Sequence, residues 1–166
     1  MAKLSRWLTS DEQVTWRSLM LMTHLLDEAL DRQLQRDARM PHAYYVILVA
    51  LSEAPDRTMR MSDLANRLRY TQSRLTHAVA SIERNEWVQR RSSPTDRRSQ
   101  LVRLTTTGIH VLAAAAPGHV REVRSAVFDK LTAEQVGQLG EICGALLAGL
   151  DTSSQHLIRP ADRPSA

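Results

Sequence analysis

Residues 71–77 read Thr71-Gln72-Ser73-Arg74-Leu75-Thr76-His77, six polar side chains around one leucine. A Gln amide presents a donor beside an acceptor, which matches the N6/N7 edge of adenine. An Arg fork matches O6 and N7 of guanine. The hydroxyls of Thr71, Ser73 and Thr76 suit phosphate oxygens, as do the free amides at a helix start. A second polar group is Asp96-Arg97-Arg98, preceded by turn chemistry at Ser92-Ser93-Pro94-Thr95. A guanidinium raised on a turn fits the narrow, strongly negative minor groove of a duplex.

Charge placement agrees with that chemistry. The chain has 166 residues and a formal net charge of +4. Residues 56–104 contain eleven arginines (57, 60, 67, 69, 74, 84, 90, 91, 97, 98, 103) against five acids (56, 63, 83, 86, 96), so the remainder is net negative. A local basic field of this kind draws in polyanions.

Other chemistries find no support. The six histidines (24, 42, 77, 110, 119, 156) show no i, i+4 pair, and the single cysteine, Cys143, excludes both a Cys-x-x-Cys metal site and an intramolecular disulfide. There is no Gly-rich phosphate loop, no Ser-His-Asp arrangement and no paired carboxylates in an apolar setting. The expectation is a protein that is not an enzyme and needs no cofactor or metal. Cys143, among Ile142, Ala145 and Leu146, reads as a buried, inert thiol. No run of apolar residues reaches transmembrane length, and Lys3 and Arg6 are followed by acids rather than by a signal core. A cytoplasmic protein with no membrane partner is expected.

The elements that must position these residues follow from periodicity. A long helix is expected from about Ser10, taken as N-cap with Gln13 completing a capping box, to Arg36. Leu19, Met22, Leu26, Leu30 and Leu34 form its apolar stripe, widened by Trp16, Met20, Leu21 and Leu25. A helix apolar over so much of its surface needs several neighbours, and a second copy of the chain is a natural one. His42–Leu51 reads as an apolar helix, and Ala54-Pro55-Asp56 as a turn. A short helix follows with Ser62 as N-cap, then one from Thr71 to about Asn85 with Leu75, Ala78, Val79 and Ile82 inward. Two short amphipathic helices joined by about three residues make a helix-turn-helix. Trp87–Arg91 and Gln100–Leu104 alternate as strands around a polar loop, a hairpin that forms a wing. On such a strand Arg90 and Arg91 point opposite ways, so at most one, assigned to Arg91, faces outward with the tip. A helix capped by Thr105 or Thr106 should be kinked or interrupted at Pro117-Gly118. A last helix carries Val136, Leu139, Ile142, Leu146 and Leu150, and the polar residues 152–166 read as a disordered tail.

Arg60-Met61-Ser62-Asp63-Leu64-Ala65, Ser73-Arg74-Leu75-Thr76-His77 and Asp96-Arg97-Arg98, the last leading to Val102-Arg103-Leu104-Thr105 and Gly108, together resemble the MarR family of winged helix-turn-helix regulators. The resemblance runs over about residues 8–150. It implies a mainly α fold with a small β-hairpin wing and a helical dimerisation lobe. The implied domains are a dimerisation helix in 1–40, a winged helix-turn-helix in 41–105, C-terminal dimerisation helices in 106–150 and a flexible tail in 151–166. The implied function is a transcriptional regulator, a homodimer that binds a palindromic operator in double-stranded DNA, represses, and is released by a small aromatic or phenolic effector. The alternative is a winged-helix protein-interaction module without DNA binding. By resemblance Arg97 enters the minor groove and Arg98 pairs with Asp96. Trp16, Arg17, His24, His42, Tyr45 and His110 are the candidate effector residues. Two departures stand out: Asn85-Glu86 replaces the Gly that often ends the recognition helix, with Asn85 expected in the left-handed conformation, and Arg39-Met40-Pro41-His42 replaces an apolar lead into the second helix.

Overall fold

The computed structural model describes residues 7–93 and 99–150. Six helices and a three-stranded sheet follow one another as α1 (Ser10–Ala38), α2 (His42–Ser52), β1 (Thr58–Arg60), α3 (Met61–Leu68), α4 (Gln72–Arg84), β2 (Val88–Ser92), β3 (Gln100–Leu104), α5 (Thr106–Ala126) and α6 (Ala133–Leu150). Single turns of 3-10 helix at Pro55–Arg57 and Phe128–Lys130 fill two connections.

α1 begins one residue earlier than expected. Its N-cap is Thr9, and the capping box is closed by Glu12, whose carboxylate takes the Thr9 amide at 2.7 Å. Ser10 is already helical, and the Gln13 side chain turns back to the Leu8 carbonyl. With Thr9 as the cap, Glu12 and not Gln13 stands at the third helical position, and its carboxylate also favours the positive end of the helix. α1 ends where Arg39 turns left-handed (φ 49°), which lets the Met40 amide reach the Leu34 carbonyl and drives Met40 into the core.

The winged-helix half is a single hydrophobic core. Ile47, Leu48 and Leu51 of α2, Leu64 of α3, Leu75, Val79 and Ile82 of α4, and Val102 of β3 are completely buried. The N-cap position of α3 is Arg60, without a side-chain cap, and not Ser62, whose hydroxyl instead meets Asp63. The reason is β1, a strand too short to show a period: Thr58, Met59 and Arg60 pair antiparallel with Arg103, Val102 and Leu101, so the strand hands directly into the helix. β3 lies in the middle of the sheet, with β2 on its other side.

Three further expectations are corrected. At the end of α4 the left-handed residue is Glu86 (φ 61°), not Asn85 (φ −85°), because the Trp87 amide must swing back to the Ile82 carbonyl. α5 runs without a break through Pro117, which removes one amide donor but leaves the helix packed along α1. α6 has no buried residue, so Cys143 is exposed. The stripe of α1 is buried only toward its end: Leu34 and Leu30 are in the core, whereas Met22, Leu25, Leu21 and Trp16 are about half exposed. No helix among the described residues is long and apolar enough to cross a membrane.

Candidate nucleic-acid interface

The turn between α3 and α4 is three residues long, Arg69-Tyr70-Thr71. Arg69 is left-handed (φ 55°), so the Tyr70 amide closes on the Ala65 carbonyl and α4 leaves at a new angle. Thr71 caps α4 by accepting the Arg74 amide at 3.2 Å. Leu75, Ala78, Val79 and Ile82 then lock one side of the helix into the core. That leaves Thr71, Gln72, Ser73, Arg74, Thr76 and His77 all exposed.

The exposed side divides into rows by helical spacing. Gln72 and Thr76 face a cleft of about 320 Å³ shared with Met61 and Ser62 at the start of α3 and with Ser99 and Gln100 at the root of β3. Ser73 and His77 form the neighbouring row. Arg74 is held from the side, its guanidinium 4.1 Å above the centre of the Tyr70 ring. This cation–π contact restricts a long side chain before any ligand arrives. Burial pushes the Tyr70 hydroxyl above its ordinary range against the opposing effect of Arg74, so the ring stays neutral. Type and spacing do not mark Tyr70 or Gln100, and mark Ser62 only as a cap; their placement beside α4 is what brings them to this face.

The wing is tied to α4 by one acid. Glu83 accepts the Arg90 amide at 2.7 Å with one carboxylate oxygen and the Arg90 guanidinium at 2.7–2.8 Å with the other. Burial alone would raise the Glu83 carboxyl, but the Arg90 bonds outweigh it and hold it below the usual range. Arg90 is thereby committed to the protein, and Arg91, one residue on, is exposed on the opposite face. Asp96, Arg97 and Arg98 lie outside the described residues.

The candidate effector residues do not form one group within a protomer. His42 and Tyr45 do meet, where α1, α2 and α5 converge, and a residue not anticipated there, His119, stacks between them. Its ring centre is 4.3 Å from Tyr45 and 5.6 Å from His42. Asp27 holds His42 Nδ1 at 3.1 Å, and Asp31 accepts the His42 amide at 2.8 Å. Burial, and then the neighbouring His42, lower the pKa of His119. His119 Nδ1 and the Oε1 of the almost fully buried Gln33 have no hydrogen-bond partner. Trp16, Arg17 and His24 sit on the exposed first half of α1. Trp16 is about 16 Å along the axis from Asp27 at 1.5 Å per residue. His110 is exposed on α5. No group of His, Cys, Asp and Glu among the described residues is arranged to hold a metal ion.

With this geometry in place, the chain can be set beside known proteins. Residues 40–99 match the sequence profile of the MarR family. The DNA-complex structure of Sco3205, a MarR family transcriptional regulator from Streptomyces coelicolor, is 53% identical; the match covers 89% of this chain and 92% of that one, with a TM-score of 0.85. The chain belongs to the MarR family. AbsC, a MarR family regulator from the same organism, is 35% identical over 88% of this chain and 98% of its own, with a TM-score of 0.82. At the sequence level the transcriptional repressor YetL of Bacillus subtilis is 29% identical over 106 residues, which are 64% of this chain and 63% of YetL. This MarR-family chain is accordingly a transcriptional regulator and not an enzyme, and its α3–α4 pair and β2–β3 hairpin are the helix-turn-helix and wing of the family fold.

Proposed function

We propose that this chain is a homodimeric repressor that reads a palindromic operator, with α4 of each protomer in a major groove and the wing tip in the adjacent minor groove. The observation that carries the reading is the face of α4. Six polar residues stand exposed on a helix whose other side is anchored by four buried ones. Gln72 and Arg74 are assigned to base edges, and Thr71, Ser73, Thr76 and His77 to bases or phosphates near them. Arg97 is assigned to the minor groove with Arg98 paired to Asp96, and Arg91 to the flanking backbone. The DNA-bound state of Sco3205 supports the nucleic-acid partner, and the repressor YetL supports the sign of regulation.

Dimerisation is supported by apolar surface that the described residues leave uncovered. Trp7, Val14, Trp16 and Leu21 of the N-terminal region and Ile142, Leu146 and Leu150 of α6 are all at least half exposed. So many large apolar side chains left exposed on and beside two helices are unusual on a monomer. An isologous pairing through α1 and α6 would cover it. For the effector, the His42–Tyr45–His119 stack is the best-supported location, a place where flat apolar faces meet unpaired polar atoms. A phenol fits both features, because its ring can stack and its hydroxyl can donate to Gln33 Oε1. Trp16, Arg17, His24 and His110 would join it only by contribution from the second protomer.

Selection of bound duplexes from a random pool tests the reading. A palindrome with half-site centres about 10 base pairs apart is expected. Arg74→Ala should then lose sequence preference, and Arg97→Ala should weaken binding to all duplexes and flatten its salt dependence. Recovery of no enriched motif would favour a protein-interaction module instead. A promoter carrying the motif should fall in output when the protein is expressed; a rise would reverse the assigned sign.

A further inference from the structure

The register of the sheet gathers arginines on the side of the wing that does not face α4. Thr58, Arg103 and Gln89 stand directly opposite one another across β1, β3 and β2, and Arg60, Leu101 and Arg91 form the next row toward the wing tip. Residues opposite in register share a face, and alternation sends Met59, Val88, Val102 and Leu104 to the other one, into the core. Arg57 adjoins the first row from the left-handed end of the turn before β1 (φ 55°). Arg57, Arg60, Arg91 and Arg103 are all exposed. Among the described residues none of their side chains is in an ion pair or a hydrogen bond, whereas Arg67, Arg90 and Arg124 each have a carboxylate. Four unneutralised like charges on and beside so small a sheet repel one another. Such a face is relieved by an anion. Beside it Arg57, Gln89, Arg103 and Thr106 line a polar cleft of about 260 Å³, and a guanidinium fork matches a phosphate in two bonds.

We propose that this outer face of the wing, centred on Arg57 and Arg103, binds the sugar–phosphate backbone of DNA beyond the operator, so that the protein's footprint extends outward past the minor groove taken by the wing tip. The inference rests on the operator reading above. Its direction comes from the Glu83–Arg90 tie, which turns the inner face of the sheet toward α4. With α4 in a major groove and the wing at the adjacent minor groove, the opposite face looks along the duplex away from the site. Contacts there go to phosphates, so they add affinity and salt dependence without adding sequence preference.

The test uses the selected operator in two duplexes, one ending at the base pairs reached by the wing tips and one extended by about a further turn, roughly 10 base pairs, of arbitrary sequence on each side. Binding of the wild type and of the Arg57→Gln/Arg103→Gln variant is followed by fluorescence anisotropy over a range of salt. With at least one added phosphate per wing, the wild type should show a log–log salt slope steeper by about 1.8 on the long duplex. The double variant should bind the short duplex like the wild type and lose the added slope. Equal flank gains in both proteins would overturn the inference, as would equal weakening on both duplexes. A thermal-shift arm with inorganic phosphate at constant ionic strength separates the source of the anion. Stabilisation of the wild type alone, without flank dependence, would assign the cleft to a free anion and overturn the DNA contact. A wild type that ignores the short duplex would overturn the operator reading as well, whereas a bound short duplex without flank gain removes only this inference.

Discussion

Replacing Ile142 and Leu146 by Ser should separate the protein into monomers while its winged-helix half stays folded. The two residues lie four apart on α6, on the face continued by Leu150, and are 58% and 50% exposed in the single chain. Complete burial of such a side chain contributes about 1.5–3 kcal/mol, so covering the exposed half contributes about 1 kcal/mol each. A two-fold interface counts every substitution twice. Four side chains then amount to roughly 4 kcal/mol, or about a thousand-fold increase in the dimer dissociation constant at 1.4 kcal/mol per decade. α6 contributes no buried residue to its own protomer, so the core built on Leu64, Leu75, Ile82 and Val102 is untouched. Sedimentation velocity over a dilution series reads the dissociation constant, and far-UV circular dichroism with a thermal melt reads the fold. A variant with the wild-type dissociation constant, or a wild type that is itself monomeric, would refute the assignment of α6 to the interface.

Three other outcomes follow from the packing and the titrating groups. A Cβ on Gly108 would lie 2.1 Å from the Trp87 carbonyl oxygen and 2.7 Å from Leu104. Gly108→Ala should therefore cost about 1–3 kcal/mol and lower Tm by roughly 2–4 °C per kcal/mol; an unchanged melt would mean that the start of α5 can shift. Glu83 is held below its ordinary pKa of 4.5, so its contribution to stability is whole above 4.5 and is lost as pH falls through the lower folded value. Glu83→Gln should be less stable at neutral pH and should show a shallower loss in acid, and parallel Tm–pH curves for the two proteins would contradict this. His119 is depressed below 6.5, so the unfolded chain takes up its proton first. Stability is full above 6.5 and falls as pH drops through the folded value. His119→Gln should flatten the Tm–pH curve below 6.5, and an equally steep curve in the variant would count against the buried-imidazole account.

Much of the molecule was legible because short-range physics determines it. The inward set Leu75, Ala78, Val79 and Ile82 follows from a 3.6-residue period, and with it the outward set on α4. Thr71 and Thr105 could be read as caps because each bond spans three residues of chain. The alternation of β2 and β3 identified the wing, and the opposed directions of Arg90 and Arg91 followed from it. These features depend on neighbours in sequence, so the residue order alone determines them.

Features set by distant partners were not available at that level. β1 is three residues long and exists because Val102 lies opposite Met59; pairing with β3 then displaced the expected cap at Ser62. The left-handed position went to Glu86 rather than Asn85 because Trp87 must reach Ile82. Pro117 did not break α5, whose path is set by packing against α1. His119 acquired its ring contacts only when α1, α2 and α5 brought it against His42 and Tyr45. Composition showed that the middle of the chain is basic; strand register decided that Arg60, Arg91 and Arg103 share one side of the sheet while Arg90 is neutralised by Glu83. A period and a cap are satisfied within a few residues, whereas a stack, a strand partner or an ion pair between remote segments depends on how the whole core closes.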